Sequence, residues 1–374
     1  MDFQIPMYHI PDFSLPELLN APCTTFLPAP ADGVAPANYH TTSIYPEYFH
    51  LTPGNWILLQ ESRMDCVVRQ EPDGRLLVVE IRRLLAGEPV ACGRRENGED
   101  GILVHTHAFE FPAYVMEKFA FRSHLTRETS FSIDYDELYQ VMHHEKSHGF
   151  IVWVLGPAVV FDRDARSAFV SLVEQGYVHA LLAGNALATH DVEGAISGTA
   201  LGQEIYSKKT LALGHYKHLD AINQVRAAGS IRNAIQKGIV KNGIMHAIIR
   251  NNIPFVLAGS IRDDGPLPEV IGNVYDAQDA MRRLTQKATT VIAMATQLHT
   301  IAVGNMTPSY CVKDGIIRPV YFYSVDMSEF AISKLADRGS LTARAILTNV
   351  QDFVVTVERG LQDRFPSQVC HDDG

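Results

Sequence analysis

Several charged and titratable side chains in this chain follow directly on apolar runs, where a fold can hold them still. Arg262-Asp263-Asp264-Gly265-Pro266-Leu267-Pro268 sets three charges after such a run, then stiffens the loop with glycine and two prolines. Carboxylates grip ammonium groups and arginine grips carboxylates through two parallel hydrogen bonds, so this loop suits a zwitterionic substrate or cofactor hydroxyls. The competing reading is a capped turn carrying a surface ion pair. His190-Asp191 and His299 are candidate proton carriers, because imidazole titrates near neutrality. Asp326 closes the run Tyr321 to Val325, and an acid there either accepts hydrogen bonds from ribose hydroxyls or caps the helix that follows. Cys66 is a candidate nucleophile set against the reading of a small buried hydrophobe. His215, Lys217 and His218 cluster, but without an accompanying cysteine or carboxylate set, so no metal site is expected. A continuous G-x-G-x-x-G is absent, while Gly184 and Gly259 stand where backbone can approach a ligand or simply turn.

The elements that must position these residues are readable from their apolar patterns. Ile151 to Leu155, His179 to Ala183, Pro254 to Ala258, Thr290 to Ala295 and Pro319 to Val325 are apolar without alternation, as strands covered on both faces require. Helical stretches separate them, which predicts parallel crossovers and a doubly wound α/β sheet. The carboxyl ends of such strands form the ligand crevice, so the residues named above converge on one place. Before this region, Asp65 to Arg69, the turn Pro72-Asp73-Gly74 and Leu76 to Ile81 read as short antiparallel strands. The expected organisation is an extended arm over 1–45, a smaller β-rich domain over 46–130, and a Rossmann-like domain over 131–374.

Composition narrows the function classes. At 374 residues and 46% hydrophobic, the chain buries a large core without staples. Lys and Arg total 32 against 42 Asp and Glu, a balance that repels phosphate backbones, so nucleic acid is not an expected partner. Five scattered cysteines with no C-x-x-C argue against a disulfide framework and for a reducing cytoplasm. The first thirty residues lack a basic segment followed by an apolar stretch, and no run reaches the roughly 18 apolar residues that a membrane helix needs.

Three stretches carry a resemblance: Gly156 to Val160, Gly176 to Ala188, and Leu257 to Pro268. Arg226 to Ile231, His299 to Met306 and Lys334 to Ser340 extend it, with an echo at Arg63 to Cys66 and Phe109 to Phe111. Together they resemble the LOR/SDH-region family, which includes archaeal-type ornithine cyclodeaminases and the C-terminal part of cyanobacterial arginine dihydrolase fusions. The resemblance implies a Rossmann-like sheet related to the deoxyhypusine synthase fold and a tightly held NAD. It implies that NAD takes hydride from the ornithine α-carbon, that the δ-amine closes a ring as ammonia leaves, and that the hydride returns to give proline. By matching motif, Asn185, Ala186, Asp264, Thr296, Gln297, Leu298, His299 and Asp326 become the cofactor candidates. Asp263, His190, Asp191, His215, Arg262 and Cys66 are the catalytic candidates, with a small amino acid as substrate and a homo-oligomer as the expected assembly. The chain departs from the family pattern at Phe161-Asp162-Arg163, at Tyr216-Lys217 and at Lys241-Asn242. Two other readings therefore stand beside the first: an NAD(P)-dependent dehydrogenase of another amino acid or opine, and a nucleotide sensor whose catalytic groups have drifted.

Overall fold

The computed structural model describes residues 3–110, 132–205, 207–209, 212–263, 265–328 and 340–366. Asp264, Phe111, Cys370 and the Lys334 to Gly339 part of the family resemblance lie outside them.

The leading part is β-rich, as expected. Its strands are β1 (Met7–Tyr8), β2 (Thr25–Pro28), β3 (Glu47–Thr52), β4 (Asn55–Leu58), β5 (Val67–Gln70), β6 (Leu76–Val79), β7 (Pro89–Cys92), β8 (Ile102–Val104) and β9 (Phe109–Glu110). They form antiparallel sheets in the orders β2-β7-β5-β6 and β4-β3-β8, with β1 paired to β9. The β5–β6 hairpin turns where the Pro-Asp-Gly signal stands: Gly74 takes φ +86° and its N–H bonds Glu71 O at 2.9 Å. Part of the segment read as an arm is built into this layer, since β2 pairs with β7 through Phe26 opposite Ala91. Phe49, Leu59, Val68, Ala91 and Ile102 close a small core between the sheets.

The second part is a seven-stranded parallel sheet. Its members are β10 (Ile151–Leu155), β11 (Ala180–Gly184), β14 (Phe255–Ala258), β15 (Val270–Ile271), β16 (Thr290–Met294), β19 (Tyr321–Asp326) and β20 (Ala343–Leu347). Two hairpins, β12–β13 (Thr199–Ala200, Gln203–Glu204) and β17–β18 (Tyr310–Lys313, Ile316–Pro319), lie outside it. The order is β15-β14-β11-β10-β16-β19-β20, so the chain winds outward from β10, then returns to β10's other side and winds outward again. Strand order reverses between β10 and β16, which is where an open α/β sheet splits to admit a ligand.

Continuous apolarity in β10 follows from cover on both faces. Ile151, Trp153 and Leu155 enter one core with the helices Arg163–Glu174 and Val350–Arg364; Val152 and Val154 enter another with the helices Val274–Thr285 and Gln297–Met306. Charged and polar contacts then join the two parts of the chain. Arg282, Arg63, Arg82 and Arg83 surround Glu80, just past β6, and Arg63 also donates to Asn305 O at 3.1 Å. Burial opposes the charge on Glu80, but Arg282 and Arg63 override it and hold the carboxyl at about 2. The fully buried Tyr310 donates its hydroxyl to Leu59 O across the same boundary.

Candidate active-site crevice

The carboxyl ends of β11, β10 and β16 are neighbours, and each ends in a residue chosen for room. Gly156 follows β10 with its N–H bonded to Met294 O at 2.8 Å, and a Cβ added there would come within 1.9 Å of Ala295 O. Its need for glycine is therefore one of space. Ala295, after β16, takes φ +54°, a left-handed conformation that costs a side-chain-bearing residue about 1–2 kcal/mol. That kink aims the chain into α1 (Gln297–Met306), whose N-cap Thr296 makes no side-chain cap bond. Gly184, the last residue of β11, is the N-cap of α2 (Asn185–Ser197) and likewise has no capping side chain to offer. Two helix N-termini thus open onto the switch point with first-turn N–H groups that no side chain caps among the described residues, the arrangement that receives phosphates.

His299 and Asn185 bind these ends together. A Cβ on Gly184 would meet His299 Cε1 at 3.0 Å, so the imidazole, carried on α1, spans the end of β10 to reach β11. Burial pushes its pKa below the usual histidine range and leaves it neutral near pH 7. Asn185 is buried, and its Oδ1 accepts from Leu267 N and Thr189 Oγ1, each at 3.1 Å. The amide side chain therefore pins the Pro-rich loop after β14 to the start of α2. Ala186, Gln297 and Leu298 are exposed along the rim.

After β14, the loop closes on itself. Asp263 Oδ2 accepts from Ser260 N at 2.8 Å and Asp263 N donates to Ser260 O at 3.1 Å, while Arg262 and Ile261 project into solvent. At the end of β19, Asp326 Oδ1 accepts from Ser328 N at 3.2 Å, so it caps the turn while remaining half-buried beside the crevice.

His190 and Asp191 sit farther down α2. Asp191 is completely buried and accepts from Arg166 Nε at 2.7 Å, Ile244 N at 3.0 Å and Met245 N at 2.8 Å. Its carboxylate holds the helix Ile244–Arg250 and balances Arg166, which gives it a scaffolding role. Arg166 also donates to Asn242 Oδ1 at 2.8 Å, which is where the departure at Lys241-Asn242 finds its use. His190 Nδ1 lies 2.9 Å from Glu193 Oε2. Sequence reasoning named neither Glu193 nor Arg166; an acid three residues after a histidine on one helix was the available sign of the first.

Two catalytic candidates lie elsewhere. Cys66 is buried in the β-rich part, its N–H bonded to Thr42 Oγ1 at 3.0 Å, with Arg63, Glu80 and Arg282 as charged neighbours. Burial pushes its thiol up, the opposite of what a nucleophile needs, which favours the reading of Cys66 as a small buried hydrophobe. His215 is exposed at the start of the helix Gly214–Ala228, its ring tilted against Tyr216 at 4.3 Å beside a shallow cavity of about 300 Å³ bordered by Leu213, Tyr216, Lys217 and Asp220.

The crevice fits a dinucleotide on its own geometry: two helix N-termini whose N-cap residues make no side-chain bond, and a carboxylate at a neighbouring strand end. Comparison with known proteins agrees in kind. Residues 136–357 match the family model described as arginine dihydrolase ArgZ-like, C-terminal, Rossmann fold. An ornithine cyclodeaminase of Methanopyrus kandleri is 39% identical over 90% of this chain and 77% of that protein. A LOR/SDH protein from Methanococcus maripaludis S2 superposes with a TM-score of 0.79 at 35% identity, covering 92% of this chain and 99% of that one. The ternary complex of AgrE with ornithine and NAD+ aligns at a TM-score of 0.57 and 31% identity, over 94% of this chain and 47% of AgrE.

Proposed function

Because the chain belongs to the family of ornithine cyclodeaminases and ArgZ-like C-terminal Rossmann domains, we infer that it is an NAD-dependent enzyme converting L-ornithine to L-proline and ammonia. The observation that carries this reading is the crevice at the β10–β16 switch point, together with the ornithine and NAD+ held by AgrE. The reaction balances without an external oxidant, since ornithine loses one ammonia as its ring closes. When bound, the nicotinamide supplies reversible two-electron chemistry at the α-carbon.

In this reading the first-turn N–H groups of α2, at Asn185 and Ala186, and of α1, at Gln297 and Leu298, hold the pyrophosphate end of NAD. Thr296 and His299 line the adjoining wall, and Asp326 and Asp264 accept ribose hydroxyls. Arg262 offers its guanidinium to the substrate carboxylate from the rim, and Asp263 faces the ammonium groups. His299, neutral by burial, is able to accept a proton without first losing one. The Asn185–Leu267 bond keeps the loop closed over this space and limits water.

Free thiols at Cys23, Cys66, Cys92 and Cys311 suit a reducing cytoplasm, and the enzyme is read as a homo-oligomer there. No helix among the described residues is long and apolar enough to cross a membrane. Incubation of the purified protein with L-ornithine tests the reading. Equal amounts of proline and ammonia are expected, with no build-up of reduced nucleotide. Steady accumulation of reduced nucleotide with another amino acid would replace it by a net dehydrogenase, and no turnover across an amino-acid panel by a sensor.

A further inference from the structure

We propose that Glu193 is a positioning residue that fixes the His190 imidazole as a proton carrier for this active site, an assignment that rests on the ornithine reading above. His190 stands five residues into α2, about 7.5 Å along the helix from Asn185 at the crevice. Its side chain is 11% exposed and that of Glu193 is 0%. Glu193 Oε1 accepts from Thr199 Oγ1 at 2.8 Å and Gly202 N at 3.0 Å; Oε2 accepts from Leu201 N at 3.1 Å and His190 Nδ1 at 2.9 Å. Burial alone would favour a neutral carboxyl, but His190, the Gly202 backbone and Thr199 hold it below the usual range. An ionised carboxylate only accepts, so His190 Nδ1 must carry a proton, and Nε2 is the ring nitrogen left for proton exchange.

Support of the β12–β13 hairpin explains the bonds from Thr199, Leu201 and Gly202, but it leaves the imidazole without a purpose. The ring lies edge-on to Phe161 at 5.5 Å, on the turn that leaves β10 at Gly156, and 6.2 Å from the ring of His218. The titratable groups that its contacts bring to it are Glu193 on its own helix and His218 on the helix Gly214–Ala228, with the Asp162–Lys208 pair beyond Phe161, whose carbonyl Lys208 also holds. Ornithine conversion needs one group that removes a proton from the α-ammonium and delivers one to the departing amine. An imidazole whose Nδ1–H is held by a carboxylate does both at Nε2, with its proton count unchanged over the cycle.

Glu193→Gln, Glu193→Asp and His190→Asn test the assignment in the full-length protein, with four measurements: thermal unfolding, nucleotide released on denaturation, kcat and KM for ornithine, and imidazole nitrogen NMR. The wild type is expected to show the Nδ1–H tautomer. Glu193→Gln should lose that tautomer and drop kcat about tenfold or more, with KM and released nucleotide nearly unchanged, and Glu193→Asp should recover part of it. His190→Asn should lose about 10²–10⁴ in kcat. If Glu193→Gln does not fold, His190→Asn decides, because His190 makes none of the hairpin bonds. Unchanged kcat in His190→Asn, or an Nε2–H tautomer in the wild type, overturns the assignment while ornithine turnover stands. A wild type that never turns over ornithine overturns the parent reading and this role together.

Discussion

Gly156 and Asp191 show how differently two residues near one crevice serve it. Gly156 has an ordinary φ of −88°, so its conformation suits any residue, and only the 1.9 Å approach of a Cβ to Ala295 O forbids one. Gly156→Ala is therefore expected to push β16's end away, lowering the melting temperature and abolishing nucleotide retention; thermal unfolding and nucleotide release check both. Asp191→Asn leaves Arg166 buried without its counter-charge, and such a change costs about 3–5 kcal/mol. Urea unfolding should register that loss, and equal stability of variant and wild type would remove Asp191 from the scaffold. The His190-Asp191 pair drew attention in the sequence as chemistry. Only the fold brings Arg166 and the Ile244 and Met245 amides onto Asp191, because contacts between distant segments leave no local pattern. Cys66 was ambiguous for the same reason, since burial is what raises its thiol.

Strands buried on both faces announced themselves, and edge strands did not. Runs such as Ile151 to Leu155 are fully buried and appear as uninterrupted apolar sequence, whereas β15 is two residues long and β20 alternates with exposed positions. The strand ends were legible too, which is why Asn185, His299 and Asp326 could be placed at one sheet edge in advance. What periodicity does not convey is the join between the β-rich layer and the parallel sheet, centred on Glu80. Its carboxyl is lowered from 4.5 to about 2, so the folded state holds the proton less tightly than the unfolded chain. Stability from this cluster is therefore complete above about pH 4.5 and disappears as pH falls through about 2. Denaturant unfolding of wild type and Glu80→Gln at several pH values should show a gap that is widest near neutrality and closes in acid. A gap independent of pH would contradict the cluster's role.

At the scale of the whole molecule, the β-rich layer, the reversed strand order and the crevice at the switch point serve one proposed reaction. The net charge of −10 concerns solubility and partner choice more than chemistry. The central claim is that electrons leave the α-carbon of ornithine and return to the same carbon within one turnover. Ornithine deuterated at its α-carbon tests it most directly, read by mass spectrometry of the proline formed together with the absorbance of reduced nucleotide. The account predicts proline that keeps the label at its α-carbon, one ammonia per proline, and no growth in reduced nucleotide. Proline with the label washed out to solvent, or label accumulating in free reduced nucleotide, would contradict it.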